Sequence, residues 1–165
     1  MNQIATKPRF AARLPEELRS STLVLLKRLG LSAKELTHDW YEEQVGMHPY
    51  HHAILAVLDE GSRDTQGQIA DALGYDKGQL VGLLDELEEA ELVERQRDPN
   101  DRRRQTVRMT PAGRKHLEKL RKLSAKIEDE FLAPLSEKER VQLHSLLLRL
   151  AEEHLPNCRF GGAKR

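Results

Sequence analysis

The 165 residues contain a single cysteine, Cys158, which excludes an intramolecular disulfide framework and fits a reducing, cytoplasmic setting. Long apolar runs are missing too. Leu146-Leu147-Leu148 falls far short of the roughly 20 residues that cross a bilayer, so a membrane protein is excluded. Residues 1–9 have no apolar stretch ahead of a small-residue cleavage site, and no signal peptide is expected. There is no glycine-rich phosphate loop, nucleophile elbow or metal-ligand spacing, so neither an enzyme nor a cofactor-binding protein is expected. His48, His51 and His52 come nearest to a metal set. Pro49 separates them, no cysteine lies nearby, and His51 and His52 project to different sides of a helix, so no metal is expected. No internal repeat or low-complexity segment occurs. Net charge is absent as well: 27 basic residues balance 27 acidic ones, against the basicity usual in nucleic-acid-binding domains.

The distribution of charge says more than its sum. Between Arg95 and Arg104 five arginines (Arg95, Arg97, Arg102, Arg103, Arg104) stand against Asp98 and Asp101, a local net of +3. The preceding stretch is acidic, with Asp85, Glu86, Glu88, Glu89 and Glu91. So steep a gradient lets a neutral chain turn one cationic surface toward a polyanion.

Apolar spacing predicts a mainly α fold. Leu18, Thr22, Leu25, Leu29, Ala33, Leu36 and Trp40 recur at steps of three and four, which predicts one long helix from Pro15 with a buried face. Gly30 interrupts it, and Ser32 with Glu35 offers an alternative restart; the single helix is preferred. Gly46 and Pro49 end it, and His51 to Leu58 reads as a second helix closed by Gly61. Thr65 and Gln68 have capping-box spacing before Ile69, Ala70 and Leu73, and Gly74 stops that helix. Asp76 then caps a helix carrying Leu80, Leu83, Leu84 and Leu87. Residues 92–97 and 105–109 read as short strands around the turn residues Asp98-Pro99-Asn100-Asp101. Thr110-Pro111 opens a helix with Leu117, Leu120, Leu123 and Ile127 on one face. Ser136 with Glu139 opens the last, through Val141, Leu143, Leu146, Leu147 and Leu150, its leucine stripe read as core.

Two short helices joined by a tight glycine turn form a helix-turn-helix, and a basic hairpin after it makes a winged helix. The second helix fits a major groove, with Lys77, Gly78, Gln79 and Val81 facing base edges. Gln79 suits adenine; Lys77 suits guanine or a phosphate. Helix N-termini present N–H groups to phosphates, and Thr65 and Gln66 stand at the first of them. Arg97, Arg102, Arg103 and Arg104 supply a wing for the narrow minor groove, with Asp101 buttressing Arg103. Double-stranded DNA is the partner this arrangement implies.

Asp76-Lys77-Gly78-Gln79-Leu80-Val81-Gly82-Leu83-Leu84-Asp85-Glu86-Leu87-Glu88, Leu92-Val93-Glu94-Arg95, Asp98-Pro99-Asn100-Asp101-Arg102-Arg103 and Thr110-Pro111-Ala112-Gly113 together resemble the MarR (multiple antibiotic resistance regulator) family over roughly residues 15 to 150. The resemblance implies a single α+β domain. Its helical dimerisation region is 15–46 and 111–155, and its winged helix-turn-helix lobe is 49–110. It implies a homodimeric transcriptional regulator, a repressor on a pseudo-palindromic operator, with Arg103 in the minor groove. It also implies release by a small aromatic or anionic effector, with Trp40, Tyr41, His51 and His52 as the contacts here. Members often carry Ser, Thr and Arg where this chain has Gly78, Val81 and Gly82, so the wing is expected to outweigh the helix in affinity. That glycine-rich helix and the zero net charge favour one rival: a helical interaction module of the same fold that no longer binds DNA.

Overall fold

The structure, a computed structural model, describes residues 14–61, 64–97 and 105–155. Along them run α1 (Glu16–Arg19), α2 (Thr22–Val45), α3 (Pro49–Asp59), α4 (Gln66–Leu73), α5 (Lys77–Glu89), β1 (Val93–Arg97), β2 (Gln105–Met109), α6 (Pro111–Phe131) and α7 (Glu137–His154). Two compact units divide at Met47, with α1 and α2 in the first and everything from α3 onward in the second.

In the first unit the helix expected from Pro15 is broken. The Ser20 hydroxyl donates to the carbonyls of Glu16 and Glu17 and closes α1, and Ser21 Oγ accepts from Val24 N and opens α2. Side-chain bonds of this kind compete with helix continuation. Gly30 lies inside α2, and Gly46, at φ 63°, ends it in the left-handed conformation glycine adopts freely. The expected buried face is corrected. Only Trp40 and Tyr41 of α2 are buried, while Leu25 and Leu29 are exposed. A 3.6-residue period marks an apolar stripe but does not say what covers it.

The second unit is built around α3, which packs on α4, α5, α6 and β2. It begins at Pro49, two residues before the expected His51, because His48 Nδ1 accepts from Tyr50 N and proline suits the first helical position. Ile54, Leu55, Ile69, Leu80, Leu84, Leu87, Val107, Leu117 and Leu120 are fully buried there. Each large aliphatic removed from water contributes about 1.5–3 kcal/mol. The strands pair antiparallel, Val93 opposite Met109 and Arg97 opposite Gln105. A third edge was not anticipated: Thr65 bridges Thr106, and Val107 N donates to the Asp64 carbonyl at 2.6 Å. The entry to α4 is thereby tied to the wing.

The turn from α5 into β1 holds backbone strain. Leu92 N bonds back to Leu87 O and Glu91 N to Glu88 O, the pattern of a Schellman cap. The position that prefers glycine is Glu91, at φ 58°. Glu91→Gly is expected to raise stability by about 0.5–1 kcal/mol, because relieved strain outweighs the added freedom of the unfolded chain. A urea midpoint at or below that of the wild type overturns this.

Thr110 caps α6 as expected, its hydroxyl accepting from Gly113 N. The Glu139 carboxylate accepts from Ser136 N and Oγ at the start of α7. The expectation of a core stripe on α7 is corrected within one chain: none of its residues is buried, and Val141, Leu146, Leu147 and Leu150 are exposed. Among the described residues no helix is long and apolar enough to cross a membrane.

Candidate nucleic-acid interface

The helix-turn-helix is set by local caps. Thr65 Oγ1 accepts from Gln68 N and donates to Gln68 Oε1, which also accepts from Thr65 N, completing the box that opens α4. Gly74, at φ 67°, turns the chain, and Asp76 Oδ1 accepts from Gly78 N (2.8 Å) and Gln79 N (3.2 Å) to open α5. Tyr75 sits half-buried between the helices with its ring 4.8 Å from that of Tyr50. Burial, then Tyr50, pushes its phenol up to about 12, so it stays neutral. These caps correct one expectation. At α4 the N–H groups of Gln66 and Gly67 have no partner among the described residues and stay available to an anion. At α5 the Asp76 carboxylate occupies two such groups and opposes an anion there.

The structure brings Lys77, Gly78, Gln79 and Val81 together on the exposed side of α5 with Gly82. A Cβ at Gly82 would meet nothing within 4 Å, and at Gly78 only the Asp76 carboxylate oxygen at 3.1 Å. Neither glycine has positive φ. Backbone conformation therefore demands neither glycine and packing does not demand Gly82, whereas a side chain at Gly78 would press on the oxygen that caps the helix. Arg97 is exposed at the end of β1. Asp101, Arg102, Arg103 and Arg104, and with them the Asp101–Arg103 buttress, lie outside the described residues, as does Cys158.

Arg95 leaves the cationic cluster in which the sequence placed it. Its Nη2 lies 2.6 Å from Asp85 Oδ1 and its Nη1 2.5 Å from Glu88 Oε2. Its backbone N donates to Glu88 Oε1, and Nη2 also donates to the Val81 carbonyl at 3.4 Å. Burial opposes the charge, but hydrogen bonds to Asp85 and Glu88 hold the guanidinium above its ordinary range. Part of the acidic stretch is thus an anchoring edge. A signal was present: strand alternation puts Arg95 on the same face as buried Val93, and Asp85 and Glu88 share a helix side at i, i+3.

Glu86 of α5 is anchored separately, its Oε2 lying 2.9 Å from Nε2 of buried His51 on α3. His51 thus faces Glu86 on α5. His52 is half-buried on the same helix, while Trp40 and Tyr41 lie buried at the end of α2 in the other unit. Burial holds the His51 imidazole below its ordinary value against the pull of Glu86, with His48 and His116 adding to the depression. Burial lowers His52, helped by Arg121, and His116, helped by Lys119. Each binds its proton less readily folded than unfolded. Stability is then full above the unfolded value near 6.5 and falls on acidification toward the lower folded values. The melting temperature is expected to drop between about pH 7.5 and about pH 5.5. It should drop less in His116→Asn, whose wild-type Nε2 is buried without a partner among the described residues. A flat profile overturns this.

Comparison with known proteins places this geometry. A MarR family model matches residues 45–104. An HTH-type transcriptional regulator of Bacillus subtilis, YcgE, is 32% identical over 104 residues, which make up 63% of this chain and 67% of that one. The transcriptional repressor CouR, solved bound to a 23-mer DNA duplex, is 32% identical with a TM-score of 0.75, over 85% of this chain and 99% of that one. CouR from Rhodococcus jostii RHA1 bound to p-coumaroyl-CoA aligns at 25% identity and a TM-score of 0.68, over 83% of this chain and 96% of that one.

Proposed function

This chain belongs to the MarR family of winged-helix, DNA-binding transcriptional regulators, and from that premise we propose that it is a homodimeric repressor of a pseudo-palindromic operator. The observation that carries the reading is the bare, exposed first half of α5, held beside a strand that ends in exposed Arg97. In a major groove Gln79 offers a bidentate pair to adenine, Lys77 a donor to guanine or phosphate, and Val81 an apolar contact to a thymine methyl. Thr65 and Gln66 line the phosphate side, and Gly78 lets the helix approach the base edges closely. Arg97, Arg102, Arg103 and Arg104 serve the minor groove and its flanking phosphates, with Arg103 held by Asp101.

Dimerisation rests on regions 15–46 and 111–155, supported by the uncovered leucines of α2 and α7. Two copies related by a twofold axis would set their recognition helices about one DNA turn, roughly 34 Å, apart. Release follows when a small aromatic or anionic effector prefers the unbound state. The p-coumaroyl-CoA held by CouR supports that chemistry, and Trp40, Tyr41 and His52 carry side chains suited to it.

A mobility-shift assay with a duplex enriched from a random library tests the reading. Affinity should fall steeply between about 50 and about 200 mM salt, as phosphate contacts require. Arg103→Ala should lose about 10- to 100-fold and Gln79→Ala less. A larger loss from Gln79→Ala reverses that ranking. No salt-dependent retention of any duplex would favour a helical interaction module instead.

A further inference from the structure

Reaching two grooves at once requires a fixed angle between α5 and the wing, and a recognition helix whose own carboxylates do not face the phosphates. Resting on the DNA-binding reading, we infer that Arg95 is a positioning residue that sets this angle and screens Asp85 and Glu88 from DNA.

Arg95 stands on β1, two residues from buried Val93, so strand alternation turns both toward α5. Its guanidinium reaches the Val81 carbonyl and the Asp85 carboxylate, one helical turn apart, and Glu88, nearly one turn further. Val81 is also one of the residues proposed to meet the bases, so this wing-strand side chain holds α5 at a residue of the reading segment. Five donors in a plane can serve two carboxylates and a carbonyl together; an ammonium is a single point charge. The Arg95 side chain is 16% exposed, while those of Asp85 and Glu88 are 59% and 41% exposed. The carboxylates therefore border solvent on a helix that must approach a polyanion. Without Arg95 they would present two uncompensated negative charges there. Val93 and Leu92 hold the base of the strand in the core. Losing Arg95 thus loosens β1 beyond Val93 from α5 while the fold survives.

The experiment is a mutant cycle read by fluorescence anisotropy on the library-enriched duplex, with thermal melts as the control. Arg95→Met, which keeps much of the apolar stem, should bind about thirtyfold more weakly while still melting cooperatively. Arg95→Lys should lie between it and the wild type. Asp85→Asn with Glu88→Gln separates screening from bulk charge. In the Arg95→Met background the pair should restore about tenfold, because the repulsive groups are gone; with Arg95 present it should weaken binding, because the grip is lost. A role confined to holding the fold predicts no recovery when still more bonds are removed. Equal effects of the pair in both backgrounds, or wild-type affinity in Arg95→Met, overturn the inference. Should Arg95→Met not fold, the sign of the pair's effect beside Arg95→Lys decides in the same way. Wild-type protein that retains no duplex overturns the DNA-binding reading itself, a different result from a cycle that closes additively.

Discussion

Gly113→Ala is expected to destabilise the protein by about 3 kcal/mol or more, although alanine is the better helix former. Gly113 is the third residue of α6, and a Cβ there would overlap the Leu92 carbonyl oxygen and press on Met109 Cγ at 2.7 Å. That carbonyl already accepts from Thr110 N at 3.0 Å and Thr110 Oγ1 at 3.2 Å. The first turn of α6 is thus bound to the base of the wing and cannot retreat without breaking these bonds. Gly82→Ala is the internal control. Nothing lies within 4 Å of its added methyl, so the ordinary propensity gain of about 0.5–1 kcal/mol should appear. Urea unfolding of both variants settles the contrast, and Gly113→Ala at wild-type stability would show that the approach is not tight.

Leu146→Glu with Leu150→Glu is expected to convert a dimer into monomers and to reduce operator affinity at least about a hundredfold, because two linked half-sites bind with that order of advantage. Both leucines are exposed at 46% on a helix with no buried residue, beside Leu147 and Val141. Carboxylates at those positions are harmless in water and prohibitive in an apolar seam. Light scattering should give twice the chain mass for the wild type and the single mass for the variant. The variant's melt should remain cooperative, since its core residues are untouched. A wild-type monomer, or a variant that still dimerises, overturns the homodimer.

Features that depend on a few consecutive residues were legible in the sequence. The Thr65–Gln68 box, the Gly74 stop, the Asp76 cap and the Thr110-Pro111 start all formed where their residue types predict. The break at Ser20–Ser21 was missed, because two serines offered the backbone alternative partners within an unbroken apolar period. The stripes of α2 and α7 were legible, but not that their leucines stand exposed within one chain. Periodicity identifies a face, while its cover belongs to distant residues or to another molecule. In the site, Lys77, Gln79 and Val81 were placed together by helix geometry alone, and the role of Arg95 was not.

Hydrogen bonds that close within four residues and φ preferences at single positions act before the chain folds, so the sequence by itself determined most of the helix ends and the run of residues offered to DNA. Tertiary structure alone decided which charges are spent inside the protein. Asp85 and Glu88 meet Arg95, and Glu86 meets His51, only because β1 and α3 pack against α5. It also decided that Gly113 must stay bare, since the oxygen that excludes a side chain lies 21 residues earlier in the chain.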